Sequence, residues 1–403
     1  MNNLKKYAFA DLYDMASGIS STKDQAGHGA PFVSFSTVFN NYFLPDELPD
    51  LMDTSEKEQE IYSIKEGDIL ITRTSETIDE LAMSCVATKD YPKATYSGFT
   101  KRLRPKTEGI AYSKYLAFYL RGYLFRKAVT NNAFMTLRAS FNEDIFSFLN
   151  LHLPDYEQQV KIGDLFYLIE QKIQLNKKIN DNLSAMIDDI YCHTFLRTKH
   201  PNTWRIGKLS EVISQINTGL NPRDNFVLGN GNIKYITVKN LTANGTIDFT
   251  NCDTVDVTAQ SIIHNRSDIS VGDILFASIA PLGRCYLINT EPKDWDINES
   301  VFSIRPNYQL ISSEYLYSYF MSEYFVTKAQ SSSTGSIFKG IRIGTLLDMD
   351  IVIPPFDIVE QFTNTTKSLF RLKQQCTDEA QQLIKLRNWL LPLLMNGQAT
   401  IDD

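Results

Sequence analysis

The amino-acid sequence predicts an α+β protein with two duplicated domains, which are separated by two long antiparallel coiled-coil helices and related by pseudo-two-fold symmetry. Two observations predict this fold class. Short motifs recur in the same order at offsets of 200 to 205 residues, as Gly67-Asp68-Ile69-Leu70 recurs in Gly272-Asp273-Ile274-Leu275. A long heptad pattern of apolar residues follows each copy. One structural plan is therefore present twice in the chain.

The two predicted domains cover residues 1 to 153 and 201 to 353. Both contain short β-branched and aromatic runs that are broken by turn residues, such as Ile233 to Val238, and such runs favour strands. Each copy also contains a helical stretch, near Tyr115 and near Tyr315. We therefore expect an α+β domain of about 150 residues in each copy.

The remaining segments, residues 154 to 200 and 354 to 403, each predict a long helix of about 35 residues, which would span about 50 Å. Their apolar residues alternate at spacings of three and four, as in the a and d positions of a coiled coil. The predicted seam contains Ile162, Leu165, Ile169, Ile179 and Leu183 in the first helix, and Phe362, Leu369, Leu372, Leu383 and Leu386 in the second. Polar Lys172, Asn176 and Glu379 also fall on this seam, where they would either fix its register or lie at a wet edge.

Length and composition exclude several classes of protein. A chain of 403 residues with 43% hydrophobic and 22% charged residues has the composition of a globular protein with two to three domains. No apolar run reaches the ~20 residues of a membrane-spanning helix, and no secretory signal is visible. The five cysteines are scattered without a CxxC motif, which argues against a disulfide framework or a zinc site. We expect a soluble, cytoplasmic protein.

The charge distribution is uneven although the net charge is −7. Residues 93 to 138 carry ten basic side chains and one acidic side chain, Glu108. This excess favours a polyanionic partner, and the alternative is a solvated helix face. Aromatic residues such as Tyr96, Phe99 and Tyr123 are interleaved with the basic ones. Their helical spacing favours a place in the core over contacts with bases.

Three segments carry a resemblance to a known family. They are LHLPDYEQQVKIG (151 to 163), IVIPPFDIVEQF (351 to 362) and LRNWLLPLLMNGQATI (386 to 401), in which Gly397 is placed to stop a helix. Together with the doubled plan, these segments resemble the specificity subunit of Type I restriction-modification systems over essentially the whole chain.

The resemblance implies a non-catalytic reader of double-stranded DNA. In that family each target-recognition domain reads one half of a bipartite site, and the helices set the gap between the halves. Two methyltransferase subunits dock around the helices, bind S-adenosylmethionine and methylate adenine. Restriction and translocation subunits use ATP and magnesium. The resemblance thus implies no cofactor and no metal in this chain, and no membrane partner.

Candidate DNA-binding residues are basic or small polar residues in predicted loops or in the basic segment, because Arg and Lys recognise guanine and phosphate. The candidates are Lys23, Arg73, Thr74, Lys101 and Arg138 in the first domain, and Arg223, Lys239, Arg284, Lys339 and Arg342 in the second.

Two other hypotheses assign a different class of function. The pattern Pro154-Asp155 followed by Glu170-Gln171-Lys172 resembles a metal-dependent nuclease motif, but Glu170 and Lys172 lie on a long predicted helix and cannot easily converge with Asp155 on one cation. Ile353-Pro354-Pro355-Phe356 resembles a methyltransferase tetrapeptide without its leading Asn or Asp. A nuclease or methyltransferase, or a coiled-coil adaptor that never contacts DNA, are therefore the alternatives.

Overall fold

The computed structural model describes residues 4–75, 77, 80–132, 139–197, 204–332 and 340–401. Helices and strands alternate along both halves of this chain, and two of the helices are far longer than the others. Within the described ranges, no helix is both long enough and apolar enough to cross a lipid bilayer.

The first copy forms short strands and helices that lead into a long helix. Its strands are β1 (Lys5–Ala8), β2 (Tyr13–Ser17), β3 (Ala26–Val33), β4 (Asp50–Met52), β5 (Ile69–Thr72), β6 (Thr74–Ser75), β7 (Ser84–Val86), β8 (Thr95–Tyr96), β9 (Thr100–Pro105), β10 (Ala139–Ser140) and β11 (Asn150–Leu153). Its helices are α1 (Phe9–Leu12), α2 (Phe35–Asn40), α3 (Glu56–Ile61), α4 (Ser113–Tyr119), α5 (Tyr123–Asn132), α6 (Glu143–Phe148) and α7 (Tyr156–Tyr191). A 3-10 turn covers Lys23–Gln25, and a π-helical turn at Cys192–Arg197 follows α7.

The second copy repeats this order. Its strands are β12 (Arg205–Lys208), β13 (Ile213–Thr218), β14 (Ile233–Ile236), β15 (Asp253–Val255), β16 (Ile274–Ala277), β17 (Cys285–Leu287), β18 (Trp295–Ile297), β19 (Val301–Pro306) and β20 (Asp350–Ile353). Its helices are α8 (Leu209–Val212), α9 (Val257–Ser267), α10 (Ser313–Met321), α11 (Glu323–Ser332), α12 (Ile343–Leu347) and α13 (Phe356–Met395). Because β12, β20 and α13 begin 200 residues after β1, β11 and α7, the predicted duplication is confirmed.

Three sheets recur in both copies, and the first copy also has the two-stranded sheet β10-β6. A four-stranded antiparallel sheet has the order β2-β9-β5-β7 in the first copy and β13-β19-β16-β17 in the second. A three-stranded sheet, β4-β3-β8 or β15-β14-β18, combines one antiparallel pair with one parallel pair. The first and last strands also pair, since Lys5 opposes Leu153 and Arg205 opposes Ile353. The α+β class is therefore confirmed in both copies.

A buried ion pair occupies the same place in both four-stranded sheets. The carboxylate of Asp68 accepts hydrogen bonds from Arg104 Nε at 2.8 Å and Nη2 at 2.6 Å. The carboxylate of Asp273 accepts them from Arg305 Nε at 2.7 Å and Nη2 at 2.8 Å. Both aspartates are buried, and each accepts one further backbone N–H from three residues upstream. The recurring Gly-Asp and Arg-Pro motifs thus encode one internal anchor in each copy.

A close approach of backbone segments requires glycine at two equivalent positions. A Cβ atom on Gly18 would lie 2.2 Å from the carbonyl oxygen of Ser97, and one on Gly219 would lie 1.8 Å from that of Ile297. Both distances are far below the contacts that real Cβ atoms make. These glycines therefore let the chain leaving β2 or β13 pass directly against the end of the three-stranded sheet.

The chain divides into two compact units. Unit 1 comprises Met1–Gln174 and Gln381–Asp403, and unit 2 comprises Leu175–Ala380. Each unit therefore contains one set of sheets and one half of each long helix. The domain boundaries after residues 153, 200 and 353 stay a prediction, although α7 and α13 begin close to two of them.

The long helices begin and end as their sequences indicate. The side chain of Asp155 accepts a hydrogen bond from the N–H of Gln158 at 2.9 Å, which caps the start of α7. Gly397 has φ of 66°, and the N–H of Gln398 donates to the carbonyl of Leu393 at 2.9 Å. This left-handed glycine with its backbone hydrogen bond is a Schellman stop, so the predicted role of Gly397 is confirmed.

The two helices run antiparallel within each unit. In unit 1, Arg387 Nη1 donates to the carboxylate of Glu170 at 2.7 Å, and Gln158 Nε2 donates to the backbone carbonyl of Ile401 at 3.1 Å. In unit 2, Asn176 donates to Glu379 at 2.9 Å and Asn180 donates to Thr377 at 2.9 Å. Positions therefore rise along one helix as they fall along the other, as predicted for an antiparallel pair.

Four of the ten apolar residues predicted for the seam are buried. Ile162, Ile169 and Leu183 of α7 and Phe362 of α13 are buried. Asn176 is also buried, and its hydrogen bond to Glu379 places polar groups on the helix contact.

The other six apolar residues of the predicted seam are not fully buried. Leu165, Ile179, Leu369 and Leu383 are only half-buried, Lys172 is exposed, and Leu372 and Leu386 are 43% and 42% exposed. At five of these seven positions burial is displaced by one residue, onto the C-terminal neighbours Phe166, Ile173, Asn180, Phe370 and Lys373, whereas Ile384 and Arg387 are only half-buried.

The displacement follows from packing against the domains. Spacings of three-then-four and four-then-three both satisfy a heptad, so the sequence leaves two choices for every second position. Phe166 lies 5.0 Å from Phe118 of α4, measured between ring centroids, and Lys373 Nζ lies 3.3 Å from the hydroxyl of Tyr317 of α10. The buried face of each helix therefore includes the side that meets its own domain as well as the side that meets the other helix.

The burial of Lys373 predicts that the stability of unit 2 depends on pH. Burial lowers the pKa of this amine to about 8, although the negative charge of Asp181 opposes the shift. The unfolded chain keeps the proton up to about 10.5 and so binds more protons between these two values. The contribution of Lys373 to the stability of unit 2 should therefore increase between about pH 8 and pH 10, by up to about 1 kcal/mol per pH unit, while the raised pKa values of buried groups such as Cys285 and Tyr315 act in the opposite direction.

The variant Lys373→Met isolates this effect from other titrations. We expect its advantage over the parent protein in urea denaturation to be largest near pH 7 and to shrink as the pH rises towards 10. An advantage of constant size across this range would show that Lys373 does not titrate as stated.

Candidate nucleic-acid interface

Loops from several strands meet at one end of the four-stranded sheet of unit 1. The N–H of Arg73 donates to the carbonyl of Phe99 at 2.8 Å, and the N–H of Phe141 donates to the carbonyl of Arg73 at 2.7 Å. The N–H of Gly98 donates to the carbonyl of Ile19 at 2.7 Å. We call residues 17–19, 73–75, 97–101 and 139–141 the unit 1 loop cluster.

Three predicted DNA-binding residues lie together in this cluster. Arg73 is exposed, and Thr74 is half-buried in β6, which pairs with β10. Lys101 is only 7% exposed, and its Nζ donates to Ser17 Oγ at 2.9 Å. Burial and the nearby charge of Arg73 lower the pKa of Lys101, while the charge of Glu143 opposes this. Lys101 therefore supports the cluster from within, and its role in DNA binding stays a prediction.

Lys23 lies apart from these three residues. Lys23 is exposed on its 3-10 turn. The N–H of Asp53, directly after β4, donates to the carbonyl of Gln25 at 2.8 Å and so joins this turn to the neighbouring strand. The side chain of Lys23 is therefore available to a partner on a separately anchored turn.

Unit 2 has a corresponding cluster. The N–H of Ser278 donates to the carbonyl of Ser300 at 3.0 Å, and the N–H of Ile341 donates to the carbonyl of Ser278 at 2.8 Å. The N–H of Gly219 donates to the carbonyl of Asn298 at 3.2 Å. We call residues 218–220, 278–279, 298–300 and 340–342 the unit 2 loop cluster.

The predicted residues of unit 2 are placed differently from one another. Arg342 is exposed within the loop cluster, and Lys239 is exposed in the turn after β14. Arg223 is exposed on a turn closed by the hydrogen bond from the N–H of Asn225 to the carbonyl of Pro222. Arg284 is half-buried, and its Nη1 donates to the carbonyl of Leu241 at 2.9 Å. Arg284 therefore holds a neighbouring loop.

Two predicted residues, Arg138 and Lys339, lie outside the described residues. Their roles stay predictions that rest on the sequence.

The basic excess of residues 93 to 138 is used largely inside unit 1. Arg121 is the clearest case, because its guanidinium donates to the backbone carbonyls of Ser84, Val38 and Asn41. Other basic side chains of this segment bond to carbonyl or carboxylate groups, namely Arg102, Arg104, Lys106, Lys114 and Arg126. The charge excess as the sign of a polyanionic partner therefore stays a prediction, because these six side chains have partners within unit 1. Counting charges along the sequence cannot distinguish a solvated cation from one that ties loops together.

Most aromatic residues of the same segment belong to the core, as predicted. Tyr96, Tyr115 and Phe118 are buried. Phe99 and Tyr123 are exceptions, with 60% and 71% of their surfaces exposed. Phe99 lies in the unit 1 loop cluster and is absent from the residues predicted to bind DNA. The adjoining Ser-Gly turn in the sequence was the only signal that this aromatic residue lies on a loop.

The long helices present apolar side chains to solvent. Leu168 and Leu175 of α7 are 62% and 50% exposed, and Trp389 of α13 is 65% exposed. Their spacing of seven residues places Leu168 and Leu175 on one face of α7. These side chains are available to a partner.

The nuclease-like pattern does not form a metal centre. Asp155 caps α7, and Glu170 is paired with Arg387. In the part of the chain that the structure describes, no three His, Cys, Asp or Glu side chains are grouped to hold a metal ion.

Comparisons with known proteins agree with this architecture. The family described as Type I restriction modification DNA specificity domain matches residues 3–185 and 201–382. The chain is 20% identical over 422 residues to the Type I restriction enzyme MjaIX specificity subunit of Methanocaldococcus jannaschii, and the match covers 98% of this chain and 93% of that protein.

A solved structure shares the fold. The Type I restriction-modification system S subunit from M. genitalium superposes with a TM-score of 0.61 at 12% identity, covering 100% of this chain and 97% of that chain. Because the family match includes both copies of the duplicated plan, the chain belongs to the DNA specificity family of Type I restriction-modification systems.

Proposed function

We propose that this chain is the non-catalytic, DNA-reading subunit of a Type I restriction-modification enzyme, and that each unit reads one half of a bipartite site in double-stranded DNA. One observation carries this proposal. The two loop clusters share equivalent backbone hydrogen bonds, yet the side chains at equivalent positions differ: Arg73 is exposed, whereas the corresponding Ser278 is buried and its Oγ donates to the carbonyl of Ser300 at 2.7 Å. A shared scaffold with different exposed groups suits two readers of different half-sites.

Within each cluster, exposed side chains would contact the DNA directly. Arg73 and Arg342 are exposed and can donate to guanine or phosphate. Lys101 and Arg284 are held by Ser17 and Leu241 and would act by fixing the loops. Lys23, Thr74, Lys239 and Arg223, with Arg138 and Lys339, complete the set of proposed contacts.

The helices would serve the partner subunits and the spacing of the site. α7 has 36 residues and α13 has 40, and we propose that their length sets the unspecified gap between the half-sites. The exposed Leu168, Leu175 and Trp389 would contact the two methyltransferase subunits, because a partner that covers exposed apolar side chains removes them from water.

Chemistry would be confined to those partners. The methyltransferase subunits would bind S-adenosylmethionine and methylate adenine, and restriction and translocation subunits would use ATP and magnesium. This chain would supply no catalytic residue and act on DNA in the cytoplasm.

Mapping of methylated adenines tests the proposal. The full chain would be expressed with its two methyltransferase subunits in cells that lack other adenine methylation, and the matched control would omit this chain. We expect methylation at one bipartite motif with a gap of fixed length, and none in the control. A contiguous motif, or equal methylation in the control, would contradict the proposal.

A further inference from the structure

The turn Ser97-Gly98-Phe99, between β8 and β9, is clamped in unit 1. The N–H of Ser97 donates to the carbonyl of Val33 at 3.0 Å, and the N–H of Phe99 donates to Ser97 Oγ at 3.2 Å. Gly18 packs so closely on Ser97 that no other residue fits there. The backbone under Phe99 is therefore fixed from several sides.

The ring of Phe99 nevertheless projects from this rigid turn into solvent, with 60% of its surface exposed. The backbone carbonyl of Phe99 accepts the N–H of Arg73, so the two residues are backbone neighbours in the cluster, and the exposed Arg73 carries a cation that can meet a phosphate or a guanine. A large apolar ring on a fixed loop gains free energy when a partner covers it. The neighbouring cation favours nucleic acid as that partner.

The same turn in unit 2 shows what the fold itself requires. The N–H of Ser300 donates to Asn298 Oδ1 at 3.1 Å, and the carbonyl of Ser300 accepts from the N–H of Ser278. Ser300 therefore occupies the position of Phe99 on an equivalent scaffold. The glycines and the ion pairs recur in both copies, whereas the tip of this turn does not.

We propose that Phe99 is a specificity-determining residue, which makes an apolar contact with a base of the half-site that unit 1 reads. The inference rests on the proposed function. Phenylalanine contacts the methyl group of thymine or stacks against an unpaired or unstacked base, and both contacts use the same apolar surface.

The variant Phe99→Ser tests this role, because the equivalent turn already carries serine and the backbone is compatible. The full chain, with its methyltransferase subunits, would be titrated with a duplex that contains its methylated motif and with duplexes in which one half-site is scrambled. We expect Phe99→Ser to weaken binding to the intact motif by about 5- to 30-fold. Binding to the duplex with the unit 1 half-site scrambled should not change.

Tyr123→Ser is the matched control, since Tyr123 is 71% exposed in the same unit but lies on α5, and we expect it to bind as the parent protein does. Replacing the thymines of the half-site by deoxyuridine distinguishes the two contacts. If deoxyuridine weakens binding by the parent protein but not by Phe99→Ser, the ring contacts the methyl group of thymine. If deoxyuridine leaves binding by the parent protein unchanged and only Phe99→Ser weakens it, the ring stacks on a base.

The inference would be overturned if Phe99→Ser kept the affinity of the parent protein and methylated the same motif. It would also be overturned if Phe99→Ser lost the same amount of affinity for every duplex, or if it lost binding to the methyltransferase subunits and not to the motif. If the parent protein itself bound intact and scrambled duplexes equally, the proposed function would fail, and the role of Phe99 with it.

Discussion

Asp273→Ala is expected to lower the free energy of unfolding of unit 2 by about 3 to 5 kcal/mol, because it removes the buried carboxylate that pairs with a partly buried guanidinium. The carboxylate of Asp273 accepts two hydrogen bonds from Arg305 and one from Ser303 Oγ at 3.2 Å. It also accepts the N–H of Ser270 at 2.9 Å, which holds the turn before β16. Alanine removes all of these contacts at once.

Asp268→Ala provides the matched control. Asp268 also contacts Arg305, at 3.3 Å, but its side chain is 54% exposed. Exposed pairs contribute about 0 to 1 kcal/mol, so we expect a small change. Urea denaturation followed by tryptophan fluorescence would measure both variants, because Trp204 and the buried Trp295 both lie in unit 2. Equal shifts of the two unfolding midpoints would show that the buried pair has no special role.

This ion pair shows what repeats in a sequence reveal and what they conceal. The recurrence of Gly-Asp and Arg-Pro predicted a duplication, which is confirmed. Their physical role depends on the contact between Asp273 and Arg305, which are 32 positions apart and meet only through the pairing of β16 with β19. A motif of two residues does not indicate its distant partner.

The helices were predictable in extent but only partly in packing. Heptad spacing predicted both long helices and their antiparallel pairing within each unit. The spacing predicted Leu165 and Leu372 as buried seam residues, but the buried residues are their neighbours Phe166 and Lys373. Hydrophobicity favours leucine over lysine at a buried position. The burial of Lys373 in place of Leu372 is explained by its contact with the hydroxyl of Tyr317 on α10.

The candidate site shows the same division. Three of the residues predicted from their place after turns, Arg73, Thr74 and Arg342, do lie in the loop clusters. Burial of Lys101 and the capture of Arg284 by a carbonyl group depend on neighbouring strands and loops, which residue type does not reveal. Exposure of Phe99 likewise depends on a turn that three other segments hold in place.

Exchange of one domain should have the largest functional effect. If residues 201–353 are replaced by the corresponding segment of a family member with another specificity, we expect one half of the methylated motif to change completely. The other half should remain the same. Specific sites are typically bound at least 10³-fold more tightly than other sequences, so the original half-site should lose essentially all methylation.

The splice points are favourable because β12 begins at Arg205 and α13 begins at Phe356, which leaves both long helices intact. The contacts between the domain and the helices of unit 2 must be kept in the exchanged segment, and three hydrogen bonds are among them. They join Asn244 to Asp181, Asn289 to Gln374 and Tyr317 to Lys373. Without them, a failed exchange could reflect loss of packing and not loss of base contacts.

The control carries the same exchanged segment with Tyr317, Asn289 and Asn244 restored, beside a parent protein passed through the same splice sites. Methylated adenines would be mapped in genomic DNA for each. A change confined to one half of the motif requires that unit 2 reads that half through its own side chains. Each loop cluster is built entirely from residues of its own unit, so an exchange in unit 2 should leave the half-site read by unit 1 unchanged. If both halves of the motif changed, or if neither did, the two units would not be independent readers.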